Sequence, residues 1–377
     1  MYGPSRETSC SRMTARHPLE VLVGPEDCSQ LRAIASGRAP RLDYRLVADQ
    51  CQGSVRQWFS SPAGLRGPRL VRLSRSLLGN FGCTLRLVSS LGPASIVYAT
   101  GETWGLPVAV VSGVLRRRFV HVVYAHRVYS PSWLRLLRLL APLLHVDGWI
   151  CVNRHQAHLL RQVFPRRPSR VAVVSQGVDT AFWDPARATP PDRKPYILAI
   201  GAEMRNYPLL FDAVRGMDVE VRVKASSAWM NSARHELRSL PTNVTLLRER
   251  LTYSVLRDLY AGAALVAVPL YDTPQAAGIT TILEAMAMGV PVIATQSAGL
   301  PDGLVDGETG IVVAPEAGAV AEAITEVLGA PTKAAALAAS ARQFVESDAS
   351  IEAYARRIAG FLQVVQKKGD LTDQALA

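Results

Sequence analysis

The residues whose types and spacing best suit chemistry lie in the stretch 271–293, which reads YDTPQAAGITTILEAMAMGVPVI. Gly278 precedes a segment in which four apolar residues follow helical spacing, namely Ile279, Ile282, Leu283 and Met286. A glycine before the first helical turn leaves backbone N–H groups uncovered, and the positive end of the helix dipole lies at the same place. The pattern therefore predicts an anion site that suits a diphosphate.

Thr280 and Glu284 lie four residues apart and so share one face of the predicted helix. A carboxylate one turn inside an anion site repels phosphates, but it accepts two hydrogen bonds from a diol, as acidic residues do for ribose in dinucleotide-binding folds. Together the two features indicate a ligand that carries both a diphosphate and a sugar diol. Taken alone, these residues leave a second interpretation open, an ordinary strand-to-helix turn with a solvated Glu284.

The elements that must position this stretch are short apolar runs that alternate with longer amphipathic segments. Their length and their enrichment in Val and Ile predict parallel strands covered on both faces, so the fold class is α/β with doubly wound sheets. Strands are predicted at 19–23, 94–99, 120–125, 148–152, 171–174, 196–200, 219–223, 244–247, 265–270, 290–294 and 310–313. Helices are predicted at 254–261, 318–328, 330–345 and 353–365.

The domain boundary is predicted in the segment 184–194, DPARATPPDRK, which holds three prolines and five charged residues between two strands. A chain of 377 residues also favours two domains on length alone. The predicted division is a disordered tail at 1–18, a first domain at 19–185, a linker at 186–194, a second domain at 195–349, a C-terminal helix at about 350–366 and a tail at 367–377.

The net charge of +11 is distributed unevenly along the chain. Residues 1–190 hold 25 arginines and no lysine against 10 acidic residues, whereas residues 191–377 hold 17 basic and 21 acidic residues. A basic half attracts nucleic acid, anionic lipid or phosphorylated substrates, although codon use in a GC-rich genome explains the arginines equally well. Since no nucleic-acid-binding motif accompanies them, no nucleic-acid partner is expected.

The cysteines and the hydropathy pattern bear on location. Five cysteines without a C-x-x-C pair indicate free thiols in a reducing compartment. No apolar run approaches the ~18 residues of a membrane-spanning helix, and residues 1–18 lack the apolar core of a secretory signal. A cytoplasmic location is therefore expected.

Four segments carry a resemblance to a known family. The segment 277–295, AGITTILEAMAMGVPVIAT, resembles the signature "EGFG…EAMA.G.PVI" of the retaining nucleotide-sugar glycosyltransferases of the GT-B fold, family 4. The segment 298–313, AGLPDGLVDGETGIVV, resembles the strand-loop-strand that follows in that family. Further upstream, 175–185 (SQGVDTAFWDP) resembles "NGVD…F.P", and 147–153 (DGWICVN) resembles "AD.VI.VS". The resemblance extends from about residue 94 to the C-terminus.

The resemblance implies a fold and an activity. Two doubly wound, Rossmann-like domains would face each other across a cleft, with the acceptor on the first domain, the donor on the second and the last helix crossing back to the first. The reaction would be hexosyl transfer from a nucleotide-diphosphate sugar to an acceptor hydroxyl with retention of anomeric configuration. The nucleotide sugar would be a co-substrate, and no cofactor is expected. No metal is expected, because no D-x-D pair ends a strand near the proposed phosphate site.

The family's site residues are carried over position by position. Gly278, Ile279 and Thr280 would hold the donor phosphates, and Glu284 would bind the ribose hydroxyls. Arg205, in YILAIGAEMRNYP, stands where the family has a basic residue on the diphosphate. It would stabilise the charge that develops on the leaving group.

The first half supplies further candidates. His126 ends the strand VHVVYAH at the position of the family's sugar-contacting histidine, and a strand-end histidine with only a structural role is the alternative. Arg127 is a weaker candidate for phosphate or acceptor contact. Gly101 and Glu102, after the strand at 94–99, form a candidate cleft loop, in which Trp104 could stack on an acceptor ring.

Two positions depart from the family pattern. The first glutamate of Glu-x7-Glu is replaced by Ala276, which leaves the choice of donor sugar open, and Gln275 or Asp272 could substitute for it. The family's first basic residue after the strand at 196–200 is replaced by Ala202. Lys224 could compensate, although a surface lysine is the preferred interpretation.

A membrane contact is a further possibility at 132–146, SWLRLLRLLAPLLHV. A basic amphipathic helix there could lie on anionic lipid, with extra attraction from Arg116, Arg117 and Arg118. The family places a helix here that packs on the first sheet, and Pro142 would end it early, so core packing is the preferred interpretation. The contact would be peripheral, at the inner face of the membrane.

Three other functions stay open. A nucleotide-sugar epimerase on the same fold would need an added base and would show no dependence on an acceptor. A non-catalytic partner or scaffold protein is suggested by Ala276 and Ala202. The basic first half alone supports a nucleic-acid binder, which would show steep salt dependence. The acceptor class is not determined, so specialised metabolites, polysaccharides and lipids are all candidates.

Overall fold

The structure is a computed structural model that describes residues 19–24, 28–57, 82–126, 130–165, 170–189, 194–225 and 240–374. It contains two six-stranded sheets in which every neighbouring pair of strands is parallel. The first sheet has the order β2-β1-β3-β4-β5-β6, with β1 Leu19–Val23, β2 Ser54–Gln57, β3 Ile96–Ala99, β4 Val120–Ala125, β5 Gly148–Cys151 and β6 Val171–Val173.

The second sheet has the order β12-β11-β10-β7-β8-β9. Its strands are β7 Tyr196–Ile200, β8 Val221–Lys224, β9 Val244–Leu246, β10 Ala263–Val268, β11 Val292–Thr295 and β12 Ile311–Val313. In each sheet the strand order changes direction once, between β1 and β3 in the first sheet and between β7 and β10 in the second. In open parallel sheets, ligands bind at such switch points, beyond the carboxyl ends of the strands.

Helices separate the strands throughout. Those of the first half are α1 Cys28–Ala35, α2 Asp43–Gln50, α3 at 82–90, α4 Glu102–Val114, α5 Pro131–Leu140 and α6 Arg154–Val163. Those of the second half are α7 Tyr207–Val214, α8 Tyr253–Gly262, α9 Ile279–Ala287, α10 Ala317–Gly329, α11 Pro331–Asp348 and α12 Ile351–Gln374. Short 3-10 helices lie at Ala141–Leu143 and Pro185–Arg187. Among the described residues, no helix has the length and apolar character needed to span a membrane.

Strand β7 shows why these sequences form doubly wound sheets. All five of its residues are buried. Ile197 and Ala199 belong to the apolar cluster on one face, whereas Tyr196, Leu198 and Ile200 belong to the cluster on the other. Since successive side chains of a strand point to opposite faces, only helices packed on both faces can bury a continuous apolar run.

The sequence predictions agree with most elements. Each of the eleven predicted strands overlaps an observed one. The helix predicted after Gly278 is α9, and those predicted at 254–261, 318–328, 330–345 and 353–365 correspond to α8, α10, α11 and α12. Strand β2 was not predicted, because its sequence SVRQ holds one apolar residue and it pairs only with β1 at the sheet edge. The predicted end of the last helix near 366 is wrong, since α12 continues to Gln374. Cys83 and Cys151 are free thiols, as predicted. The predicted tail at 1–18 lies outside the described residues.

Helix α12 returns the chain to the first sheet, as the resemblance implied. It packs against α2 and β4, and the hydroxyls of Tyr354 and Tyr98 lie 2.9 Å apart in the core. Gly177 makes this return possible, because a Cβ at that position would lie 2.8 Å from the Cβ of Tyr354. The last helix therefore covers a face of the first sheet, although it follows the second sheet in the sequence.

Arg41 and Asp179 join the start of α2 to the segment between the two sheets. The guanidinium of Arg41 bridges Asp179 at 2.6 Å and Glu352 of α12 at 2.8 Å. The Arg41 backbone N–H also donates to Asp179, at 2.8 Å. Asp179 is buried, and its bonds with Arg41 hold its pKa below the usual range despite the cost of burial.

Asp179→Asn should lower the free energy of unfolding by about 2 kcal/mol at pH 7, because it removes the charge that faces the half-exposed Arg41. A depressed carboxyl pKa stabilises the fold above the unfolded value of ~3.9, so the difference from wild type should close as the pH falls below that value. Urea unfolding at several pH values measures both effects. Asp212→Asn is the control, since Asp212 forms an exposed pair with Arg215 on α7. An equal loss in both variants would contradict the prediction.

Candidate functional site

The start of α9 has the geometry of an anion site. Gly278 caps the helix with φ of 77°, a left-handed conformation that strains any residue with a Cβ. Ile279 is buried in the core, so only its backbone can reach a ligand, whereas the side chain of Thr280 is exposed. The first N–H groups of a helix have no acceptor within the helix. The backbone of this turn and the Thr280 hydroxyl are therefore available to phosphate oxygens.

Arg205 lies beside this turn. Its Nε donates to the carbonyl of Ile200 at 3.1 Å, and its Nη2 donates to the hydroxyl of Thr281 on α9 at 3.2 Å. A third bond joins Nη1 to the carbonyl of Glu203 at 2.9 Å. Gly201 makes room for the guanidinium, because a Cβ there would lie 2.6 Å from Nη2. The carboxyl end of β7 and the start of α9 thus hold the guanidinium in one place.

The charge of Arg205 is buried, and the Glu203 carboxylate acts on it only from beyond ion-pair distance. Arg205 is 6% exposed, and it forms no ion pair within the part of the chain that the structure describes. Burial lowers the pKa of its guanidinium from the usual value. A buried cation is costly unless a counter-charge is present. A guanidinium has five N–H donors, so the three bonds leave donors for an anion at the start of α9.

Glu284, one turn further along α9, is buried and not solvated. Its Oε2 accepts a hydrogen bond from the Tyr260 hydroxyl at 2.9 Å. Burial raises the pKa of Glu284 to about 8, because the surroundings are apolar and no cation pairs with it among the described residues. The alternative in which Glu284 is solvated is therefore wrong. A carboxyl held in this way can exchange hydrogen bonds with a diol.

An aromatic cluster forms the wall beside Glu284. The rings of Trp183 and Tyr260 meet edge to face with centroids 5.5 Å apart, and Phe182 meets Trp183 in the same way at 5.1 Å. Tyr253, whose ring lies 6.4 Å from that of Trp183, is partly exposed. These rings connect the segment between the sheets with α8, and Tyr260 joins them to Glu284.

His126 lies at the carboxyl edge of the first sheet. Its Nε2 lies 2.9 Å from the carbonyl oxygen of Thr100, so this nitrogen carries the proton. Its ring packs on that of Tyr124, with centroids 4.6 Å apart. A Cβ on Gly101 would lie 3.8 Å from the imidazole, which places the predicted cleft loop beside the histidine. The structure thus brings His126 and Gly101 together.

Helix α6 connects His126 to the second sheet. Gln156 of α6 donates its side-chain amide to the carbonyl of His126 at 3.0 Å. At the start of the same helix, the Arg154 backbone N–H donates to Asp302, which follows β11, at 3.1 Å. The edge that carries His126 therefore lies close to a contact between the two halves of the chain.

The other predicted site residues have varied surroundings. Gln275 donates to the carboxylate of Glu203 on the loop after β7. Ala276 packs against the core, and Asp272 accepts a bond from the backbone of Ala298 at 3.3 Å. The interpretation of Lys224 as a surface lysine is wrong, since it is buried and its ammonium donates to the carbonyls of Leu247, at 3.1 Å, and Glu249.

The loop before α4 differs from an open acceptor loop. Glu102 is buried in the first turn of α4. Trp104 packs on Gly24 and is partly buried against the core of the first sheet. Arg127 lies outside the described residues. Among these residues, Gly101 alone has its position fixed directly beside His126.

Sequence reasoning missed three residues of the site. Tyr260 lies on α8, 24 residues before Glu284, and no spacing rule connects the two. Thr281 was passed over in favour of its exposed neighbour, although its hydroxyl is the one that Arg205 contacts. Gly201 was recognised as the end of a strand, and its φ of 107° beside a guanidinium is visible only in three dimensions.

Among the described residues, no group of three or more His, Cys, Asp and Glu side chains is placed to hold a metal ion. A cavity of about 910 Å3 lies between β12, α10 and α11, lined by residues such as Ile311, Val327 and Leu337. It does not include Arg205, Gly278 or Glu284, so it is separate from the candidate site.

Residues 198–330 match the family model of the glycosyl transferases group 1, and this range contains Arg205, Gly278 and Glu284. This part of the chain is a group 1 glycosyltransferase domain. The similarity of the chain to the alpha-maltose-1-phosphate synthase of Mycolicibacterium smegmatis is 25% identity, over 85% of this chain and 90% of that protein.

Two further similarities extend the comparison. The GDP-mannose-dependent monoacylated alpha-(1-6)-phosphatidylinositol monomannoside mannosyltransferase of Corynebacterium glutamicum is 30% identical over 39% of each chain. The crystal structure of Anabaena Alr3699/HepE in complex with UDP superposes with a TM-score of 0.66 at 18% identity, covering 93% of this chain and all of that one. The fold of the chain is GT-B, with two Rossmann-like sheets.

The pKa of Glu284 predicts a pH dependence of stability. With a folded value of about 8 against ~4.3 in the unfolded chain, this group stabilises the fold fully below ~4.3, and the effect is lost as the pH rises through about 8. Glu284→Gln keeps the shape and can still accept from Tyr260. Between pH 6 and 8 the ligand-free wild type should therefore lose about 2 kcal/mol relative to this variant in urea unfolding. Exposed Glu308→Gln should follow wild type. A difference that does not change with pH would show that Glu284 is not buried as described.

Proposed function

We propose that this glycosyltransferase moves a hexosyl group from a nucleotide-diphosphate sugar to an acceptor hydroxyl with retention, and that Arg205 and the start of α9 bind the diphosphate. The observation that carries the proposal is the buried guanidinium of Arg205, which has no ion-paired carboxylate among the described residues and lies beside the glycine-capped helix. A ligand with two phosphates supplies the missing counter-charge. Gly278, Ile279 and Thr280 contribute backbone and hydroxyl donors to the same phosphates.

The proposed chemistry is a front-face displacement. The bond between the anomeric carbon and the donor phosphate oxygen breaks, and the bond to the acceptor oxygen forms on the same face. The acceptor proton passes to an oxygen of the departing diphosphate. Charge develops on that diphosphate, where the α9 dipole and Arg205 are already oriented to stabilise it. In this proposal no metal takes part.

Glu284 and His126 have separate proposed roles. Glu284 binds the ribose diol, because its carboxyl lies one turn below the phosphate site with one oxygen bonded to Tyr260. His126 contacts the transferred sugar from the first sheet, with its tautomer set by the Thr100 carbonyl. Arg127, Gly101 and Glu102 remain proposed contacts of the acceptor side, and Gln275 is a proposed contact of the donor sugar.

The domain division follows the two sheets. The proposed acceptor-side domain is 19–185 together with the helix from about 350, and the proposed donor domain is 195–349, with the linker at 186–194. The packing of α12 on α2 and β4 supports this assignment of the last helix. Closure of the two domains would exclude water from the reacting sugar and limit hydrolysis.

The base of the donor nucleotide, the transferred hexose and the class of acceptor each have several candidates. HepE binds UDP, whereas the Corynebacterium relative is named for GDP-mannose, so both bases are candidates. Ala276 has no carboxylate that could bind the sugar hydroxyls. In this proposal, contacts from Gln275 and its neighbours determine which hexose is bound. Specialised metabolites, polysaccharides and lipids are candidate acceptors, and the lipid acceptor in the name of that relative supports the last class. We propose a cytoplasmic enzyme with peripheral contact at the inner face of a membrane.

Thermal unfolding with UDP-, GDP-, ADP- and dTDP-sugars tests the donor site. A donor at ~100 times its dissociation constant should stabilise the wild type by about 2.7 kcal/mol. Glu284→Ala and Arg205→Met should each lose most of this response. The first removes the carboxyl that accepts hydrogen bonds from the ribose diol, and the second removes the guanidinium that donates hydrogen bonds to the diphosphate. Exposed Glu322→Ala is the control and should respond as wild type does. If no nucleotide sugar shifts the wild type, the proposal fails, and a scaffold role suggested by Ala276 and Ala202 gains support.

His126→Ala should lower the rate of donor turnover by about 100-fold while leaving donor affinity within about threefold, because the residue lies on the opposite sheet from the nucleotide. Slow hydrolysis of the stabilising donor, with water as acceptor, gives the rate without knowledge of the natural acceptor. His158→Ala, on the exposed face of α6, is the control. Equal rates for both variants would leave His126 with only a structural role. An epimerase would instead be indicated if the sugar product had an inverted carbon centre and if the rate of its formation did not depend on an acceptor.

A further inference from the structure

Helix α5 has two apolar faces. Trp133, Leu134 and Leu137 pack against the core of the first sheet, which confirms the predicted core packing of this segment. On the opposite face, Leu136 and Leu139 are exposed, with Leu139 at 75%. A helix that only covered a sheet would be polar on this outer face.

The exposed apolar face continues beyond α5. Leu143, in the 3-10 helix Ala141–Leu143, lies seven residues after Leu136 and is also exposed. The end of α4 lies against it, because a Cβ on Gly113 would lie 1.9 Å from the Leu143 carbonyl oxygen. Val114 and Leu115, which follow Gly113, are exposed at 61% and 47%. We call the set of Val114, Leu115, Leu136, Leu139 and Leu143 the leucine face.

Arginines surround the leucine face and acidic residues are absent from its sequence. Residues 103–146 hold six arginines and no Asp or Glu. Arg116, Arg117 and Arg118 line a pocket of about 340 Å3 between the end of α4 and the 3-10 helix, together with His145. Arg135 and Arg138 are exposed on α5 and bond only to backbone carbonyls among the described residues.

We propose that the leucine face and its arginines dock the protein on the surface of an anionic phospholipid bilayer. Leucine side chains would enter the boundary between headgroups and acyl chains, and the arginines would contact lipid phosphates. A second copy of the chain is a poorer partner, because a twofold interface would bring this arginine-rich surface against itself. The proposal does not depend on the sugar-transfer chemistry, since the leucine face contains none of the proposed site residues.

Co-sedimentation of the full chain with vesicles tests the proposal. We expect binding to vesicles of phosphatidylcholine and phosphatidylglycerol at seven to three, and at least ~10-fold weaker binding to phosphatidylcholine alone or at 0.5 M salt. Leu139→Gln combined with Leu143→Gln should weaken binding to the anionic vesicles by about 10-fold or more. Arg135→Gln combined with Arg138→Gln should weaken it by about 10-fold and reduce the salt dependence.

Matched controls come from other exposed residues of the same types. Val364 and Arg356 are exposed on α12, far along the chain from the leucine face. The variants Val364→Gln and Arg356→Gln should therefore bind vesicles as wild type does. All variants should keep the wild-type unfolding temperature, because the changed side chains are exposed. The proposal is overturned if the wild type does not bind anionic vesicles, or if the leucine and arginine variants bind as the controls do. It is also overturned if size-exclusion chromatography shows a wild-type dimer that the leucine variant converts to a monomer.

Discussion

The second sheet is organised around a positive charge that is buried before any ligand arrives. Arg205 is held by the carbonyls of Ile200 and Glu203 and by Thr281, and its cationic side chain lies at the positive end of α9. Two positive features side by side are unfavourable without an anion. The fold bears this cost because the strands and helices around Arg205 are tightly packed, and the result is a set of donors already oriented for an anion.

Glu284 shows the same principle with the opposite sign. Its carboxyl is buried beside Tyr260 and the aromatic wall, so the ligand-free protein favours the protonated form. Both ionisable groups of the candidate site, Arg205 and Glu284, therefore have pKa values displaced by burial, as is common where a protein binds charged or polar ligands. In the first sheet, the stabilising contacts are different. Helix α12 and the Arg41–Asp179 ion pair join this sheet to the segment that leads to the second sheet.

Much of the fold was predictable because buried parallel strands appear in the sequence as short, continuous apolar runs. Runs such as 196–200 and 263–268 are apolar throughout, since both of their faces are covered. Strand β2 lacks this trace, because an edge strand with the sequence SVRQ is held mainly by backbone bonds to β1. The placement of Gly278, Thr280 and Glu284 in one helix and its cap was also predictable, because local spacing carries that information. The contacts of Tyr260 and Thr281 were not, since contacts between separate elements leave no spacing pattern.

The sequence alone determined the α/β class, the family and the glycine-capped helix, because local spacing and motif residues carry that information. Only the tertiary structure decided which polar groups are buried. It showed that Lys224 is buried and donates to two backbone carbonyls, that Glu284 lies in apolar surroundings, and that Arg205 has no ion-paired carboxylate among the described residues. It also showed that α5 is apolar on both faces. Burial is a property of all neighbours together, and those neighbours come from distant parts of the chain.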